Sequence, residues 1–292
     1  MSDAPHVRVV LVGGHESHAG IDIARFAALI DGARAVTAGR GLETAVQNAL
    51  DSGERVVVVP MTFGLDPGMV ADAAKTLRWL ARGRAGDVAL AAPFGTPDHL
   101  TSWLRTAANR AARTGDAPAL LVVAPHSNAF DEAELHRVAY LVGTNGAHIE
   151  VAVAIADDPD DVTAAAARLR LLGVDHVVAV PSGFAPAVTA PGVESAGPLM
   201  SDASVLRVIR TRQRDALVLA DAGDNGIAAG LMADHGHGYA HSHAFEGEGH
   251  SHTHAHPHDH ADGTRHTHTH SGLHAHGDDA GLHSHALLGH DH

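Results

Sequence analysis

The chain has 292 residues, no cysteine and a formal net charge of −14 with histidine neutral. The lack of cysteine excludes disulfides, thiolate zinc sites and Cys-ligated iron–sulfur clusters, and the negative charge argues against nucleic acid or an anionic membrane surface as partners. From His235 onward the chain carries seven carboxylates and one arginine, which leaves −8 on the body, so an anionic substrate there needs a local cluster of cations.

Residues 1–6 have no basic stretch leading into an apolar run, and no run of 18 or more apolar residues exists. A cytoplasmic protein without a membrane span is therefore expected. Residues 7–12 form a β-branched apolar run that reads as a strand and ends in Gly13-Gly14-His15. A helical pattern follows over 21–30, then a strand over 33–38, a helix over 42–52 and a strand over 55–60 that ends on Pro60. The loop Met61-Thr62-Phe63-Gly64 comes next, and a proline-bearing turn with a helix over 93–113 closes the half. Trp79 and Trp103 lie on helical patterns and read as core.

The order then repeats. A strand over 119–124 ends in Pro125-His126-Ser127, followed by a helix over 132–142, a strand over 148–155 and a helix over 160–172. A strand over 176–181 ends on Pro181 and enters the loop Ser182-Gly183-Phe184-Ala185, and a helix over 198–214 closes the second half. Apolar strands alternating with amphipathic helices predict parallel βαβ units with both sheet faces covered. The expected fold is α/β, with two tandem flavodoxin-like lobes over 5–115 and 116–233 and a His-rich tail over 234–292.

The tail holds 19 histidines in its last 58 residues. Many alternate: His250, His252, His254, His256, His258 and His260, then His266, His268 and His270. In an extended chain alternate residues share one side, so the run presents a row of imidazoles, good ligands for Co²⁺, Ni²⁺, Zn²⁺ or Cu²⁺. A purification tag is usually a contiguous block, unlike this interspersed tract. With little to bury, the tail is expected to be disordered without metal and to bind metal.

In the body, His15 stands at the carboxyl end of the first strand, the edge where open α/β sheets bind ligands. The stretch Gly14-His15-Glu16-Ser17-His18 gathers three ligands or proton carriers, on a turn whose glycines would let a substrate approach. His126 holds the matching place in the second half. Neither a G-x-G-x-x-G fingerprint nor a Walker A motif is present, so no nucleotide is expected.

Two lobes, each with a strand ending in a His turn and a later Val-rich strand ending in proline, resemble the CbiX-type sirohydrochlorin chelatases of the class II chelatase family. The resemblance covers most of residues 7–215. It implies ATP-independent insertion of a divalent metal, Co²⁺ first and Fe²⁺ or Ni²⁺ otherwise, into sirohydrochlorin on the route to cobalamin or sirohaem. It further implies His15 as proton acceptor and metal ligand, Glu16 and His18 in support, His126 as a second-lobe metal ligand, and Arg25 and Arg40 as cations for the polyanionic tetrapyrrole. The family's His-Gly-Ser-Arg turn corresponds to His15, Glu16, Ser17 and His18, and in the second lobe to His126, Ser127, Asn128 and Ala129, without the glycine and arginine. The family's second metal-binding histidine has no counterpart in the loop 63–72. His18, Glu16, Met61, Met69 or Asp66 would then have to replace it, or the protein stores or delivers metal without catalysis. A tandem repeat already supplies a two-lobed cleft, so a monomer is expected.

Overall fold

The computed structural model describes residues 6–84, 86–113, 118–145 and 148–236, and the backbone of two strands in the tail. The chain divides into two compact units, Met1–Ser242 and His243–His292.

The first unit begins with β1 (Val7–Gly13), α1 (Ala24–Ala27), β2 (Arg34–Thr37), α2 (Arg40–Asp51), β3 (Arg55–Met61), α3 (Pro67–Leu80), β4 (Val88–Leu90) and α4 (Pro97–Ala111). It continues with β5 (Pro118–Ala124), α5 (Ala129–Thr144), β6 (Glu150–Ile155), α6 (Pro159–Leu171), β7 (His176–Pro181), β8 (Glu194–Ser195), α7 (Asp202–Asp221) and α8 (Ile227–Leu231). The strands form two four-stranded sheets with the matching orders β2-β1-β3-β4 and β6-β5-β7-β8, and every pairing is parallel. The chain is thus α/β with two parallel sheets, as its alternating pattern predicts. Val9 to Val12 and Val56 to Val59 are all buried, because helices cover both faces of a parallel sheet.

The halves share a core. One face of the first sheet (Leu11, Val57, Val59) and one face of the second (Leu120, Val122, Val180) join a single apolar cluster through Leu100 and Leu104 of α4, Leu135 of α5 and Ile209 of α7. The closing helices lie across the boundary between the halves: α7 touches β3 and β4, and α4 touches β5 and α5. The outer faces are covered separately. Val10, Val12 and Val58 meet α2, α3 and Ile227 of α8, while Leu121 and Ala179 meet Val162 and Leu169 of α6. Residues 225–232 therefore pack on the first sheet, although they follow the second in the chain. There the Leu90 N–H donates to the Asn225 carbonyl at 2.8 Å.

Several elements depart from the sequence pattern. The helix expected over 21–30 shrinks to α1, because the chain before it turns through three left-handed residues, His18, Ala19 and Gly20. The helical pattern around Trp79 belongs to α3, for which the sequence pattern gives no bounds, although Asp66-Pro67 is an N-cap followed by an N1 proline, and the Asp66 carboxylate accepts from the Met69 N–H. Trp79 lies on the outer side of α3 and is 57% exposed, so it is not core; Trp103 is partly buried against the shared cluster. Among the described residues, no helix is long and apolar enough to cross a membrane.

In the second unit, β9 (His254–Asp259) and β10 (Arg265–His270) pair antiparallel. The remainder of the expected disordered tract, including His250, His252 and His260, lies outside the described residues.

Candidate functional site

The site grows from the loops that leave the carboxyl ends of β1 and β3. Gly13 and Gly14 end β1, and their lack of side chain serves the protein itself. A Cβ on Gly13 would lie 2.6 Å from the Gly20 Cα, and one on Gly14 would lie 1.8 Å from Asp66 Oδ2. The space expected for a substrate is thus filled by the chain's own turn and by a carboxylate. His18 and Ala19 hold φ of 46° and 54°, a conformation costing L-residues about 1–3 kcal/mol each. Backbone bonds hold the turn closed, Ala19 N–H to Gly14 O at 2.9 Å and Gly20 N–H to Ser17 O at 3.0 Å.

His15 sits inside this knot. Its backbone N–H donates to Asp66 Oδ2 at 3.0 Å, and its Nε2 lies 2.8 Å from the Leu65 carbonyl. A carbonyl only accepts, so Nε2 carries a hydrogen. The same nitrogen lies 3.8 Å from Asp66 Oδ2 and 3.4 Å from Asp131 Oδ2. Asp131 belongs to α5 of the other half, is 5% exposed, and is held at the start of that helix by Asn128. Burial works against the charged ring, but Asp131, Asp66, Glu16 and the Leu65 carbonyl outweigh it and raise the His15 pKa to about 9. At neutral pH the ring is an imidazolium, ringed by oxygens contributed by both halves.

Glu16 is 4% exposed. Its carboxyl accepts from the Thr62 hydroxyl and from the Phe63 N–H at 2.9 Å, while Thr62 Oγ1 accepts from the Gly64 N–H at 2.8 Å. Burial raises its pKa to about 7, against the opposing pull of Thr62, Phe63 and His15. The Glu16 carbonyl also accepts from the Phe184 N–H at 3.2 Å. Glu16 therefore ties the loop after β1 to the loop after β3 and to the loop after β7.

The other residues singled out in the sequence fall in different places. His18 is 52% exposed and bonds Asp22 through Nδ1. His126 is 60% exposed and lies 3.3 Å from Glu132 through Nδ1, and its neighbours Pro125 and Ser127 line a small cavity with His15. Met61 and Met69 are buried among apolar side chains, which removes them as replacement ligands. Arg25 donates to the Phe184 carbonyl at 3.2 Å and lies over the Phe26 ring, a position that joins the halves. Arg40 lines a separate groove of about 590 Å³ between β2 and α2, with Arg8 and Arg34. Among the described residues, no group of three or more His, Asp or Glu is arranged to hold a metal ion.

Beside this knot, at the carboxyl ends of β5 and β7, lies a cleft of about 240 Å³. Glu16, His18, Asp22, Asp157 and Asp158 line it, with no lysine or arginine among the described residues. Its chemistry suits a cation. The sequence did not single out Asp66, Asp131, Asp157 and Asp158 as a group. The one available signal was that each stands at or near the start of a helix that follows a strand.

In the tail, the register of β9 and β10 sets His254 opposite His270, His256 opposite His268 and His258 opposite His266. The alternating histidines are therefore cross-strand neighbours in the backbone ladder.

Comparison of the chain with protein-family models, with curated proteins and with solved structures finds no match.

Proposed function

We propose that the protein handles a divalent transition metal, and that its body is an ATP-independent chelatase that inserts this metal into sirohydrochlorin. Co²⁺ is the first choice of substrate metal and Fe²⁺ or Ni²⁺ the alternatives. The observation that carries the reading is His15 at the carboxyl edge of the first sheet, between Asp66 of its own half and Asp131 of the other.

Insertion requires two pyrrole N–H protons to leave as the ion enters. The resting His15 imidazolium cannot accept a proton. A divalent ion arriving beside Asp66 and Asp131 competes for the same carboxylates, lowers the His15 pKa and releases its proton. The neutral ring then takes one pyrrole proton and solvent water takes the other. His18 and Asp22, at the rim of the acidic cleft, would guide the cation inward. The His-rich tail keeps ions at high local concentration on the same chain. No nucleotide takes part, and the cytoplasm, where sirohydrochlorin would be met, is the proposed location.

The alternative is metal storage or delivery without catalysis on a chelatase-like scaffold. It is favoured by the cleft lining, which carries carboxylates and, among the described residues, no lysine or arginine, whereas sirohydrochlorin is polyanionic.

Absorbance-monitored insertion into sirohydrochlorin at limiting Co²⁺ separates the two. Full-length protein and a chain ending at Asp234 should both turn over, the former faster when metal is scarce, and His15→Ala should abolish insertion while the fold persists. If neither chain turns over while full-length protein still binds several ions, the enzyme reading gives way to storage.

A further inference from the structure

A second cavity, of about 220 Å³, opens between the halves on the far side of Phe63. Its walls come from the loops after β3 and β4, from α4 and from α7. Phe63 and Phe94 meet edge to face with centroids 5.3 Å apart, and Phe63 stacks on Phe184 at 5.5 Å and 15°. Gly95 keeps this arrangement, since a Cβ there would lie 2.7 Å from Phe63 Cδ1. Trp103, Met200 and Val208 extend the apolar wall. A rigid wall of ring faces and edges favours another flat ring, which gains offset or edge contacts beyond simple burial.

The arginines of the lining, Arg207 and Arg212, are donors only, beside His99 and the Thr211 hydroxyl. Arg212 gives one N–H to the Phe94 carbonyl at 3.2 Å and keeps its guanidinium at the cavity. Arg207 also lines it and has no hydrogen-bond or ion-pair partner among the described residues. The Thr96 N–H donates to His99 Nδ1 at 3.2 Å, so Nδ1 is the accepting nitrogen and the ring hydrogen is on Nε2. Among the described residues no carboxylate lines this cavity, although the body carries −8 and the neighbouring cleft is acidic. Two guanidiniums kept apart from acids are matched to a bidentate anion.

We infer that this cavity binds a small aromatic carboxylate, its ring against Phe63, Phe94 and Trp103 and its acid group on Arg207 and Arg212. Size sets the class. An apolar cavity of roughly 150 Å³ holds one benzene ring, so about 220 Å³ takes one or two fused rings with a short acid. The site is distinct from the acidic cleft, and the inference stands whether or not the protein is a chelatase.

Calorimetric titration of the full-length protein with 2-naphthoate, and with the neutral 2-naphthylmethanol, tests it. The expected result is saturable binding of the acid, at least tenfold tighter than the alcohol. Arg207→Met, at an exposed residue without partners, should weaken the acid at least fivefold and leave the alcohol unchanged, while Trp103→Ala should weaken both. Absence of saturable acid binding up to millimolar concentration overturns the inference. So does equal affinity for acid and alcohol, or acid binding that is indifferent to Arg207→Met in a protein with unchanged circular dichroism.

Discussion

Nε2 of His15, on the first half of the body, lies 3.4 Å from Oδ2 of Asp131, on the second. The first half supplies Asp66, Glu16 and the Leu65 carbonyl to that histidine, and the second adds Asp131 from across the shared core. Replacing Asp131 by Asn keeps the shape and removes the charge. The His15 pKa should fall from about 9 towards the ordinary 6.5, while the cap that Asn128 places on α5 remains. A proton NMR titration of the His15 ring reads this directly, and an unmoved midpoint would refute the assignment of Asp131.

The stability of the body should fall as pH rises. Glu16 and His15 both have folded pKa values above their unfolded ones, so each binds more proton in the folded state. Glu16, raised from 4.5 to about 7, loses its contribution across that window. His15, raised from 6.5 to about 9, loses its contribution from 6.5 upwards. The His15 shift corresponds to roughly 3 kcal/mol before allowance for its partial exposure. Urea denaturation of the chain ending at Asp234 should show a midpoint that declines between pH 5 and pH 9. Glu16→Gln should flatten the lower half of that decline and His15→Ala the upper half. A midpoint that rises over this range would contradict the sign.

Two glycines should be indispensable for reasons of contact. Gly14→Ala puts a methyl 1.8 Å from the Asp66 carboxylate, and Gly183→Ala puts one 2.1 Å from the Glu16 carbonyl. Overpacking of this kind costs about 1–3 kcal/mol. Gly183→Ala strains the contact between the halves, whereas Gly68→Ala, with nothing within 4 Å of its Cβ, is the control. Equal unfolding midpoints for Gly183→Ala and Gly68→Ala would count against this account.

Metal capacity should reside in the tail and should respond to pH in the opposite sense. Equilibrium dialysis against Co²⁺ or Ni²⁺ at pH 7.5 should load several ions per full-length chain and far fewer per chain ending at Asp234. Loading should drop as pH falls through about 6.5, when imidazoles protonate. Capacity that is unchanged by removing the tail would exclude it as the reservoir.

Much of the architecture was legible because it rests on local pattern. Short β-branched runs such as Val56 to Val59 read as strands buried on both faces, and their alternation with helices predicts parallel sheets. The Asp66-Pro67 start of α3 was equally local and went unread beside the more conspicuous loop that precedes it. Trp79 shows the limit of pattern: its helix is buried on one side, yet the ring points outward.

By itself the sequence determined the α/β class, the repeated strand order and the histidine alternation of the tail, since side-chain periods of two and of 3.6 residues are properties of neighbours along the chain. Only the tertiary structure decided that α4 and α7 lie across the boundary between the halves, that 225–232 return to the first sheet, and that His15 rather than His126 is enclosed. Those outcomes depend on which distant surfaces bury each other. Asp66 and Asp131 reach His15 only after both sheets have met around one core, and no spacing in the chain records that meeting.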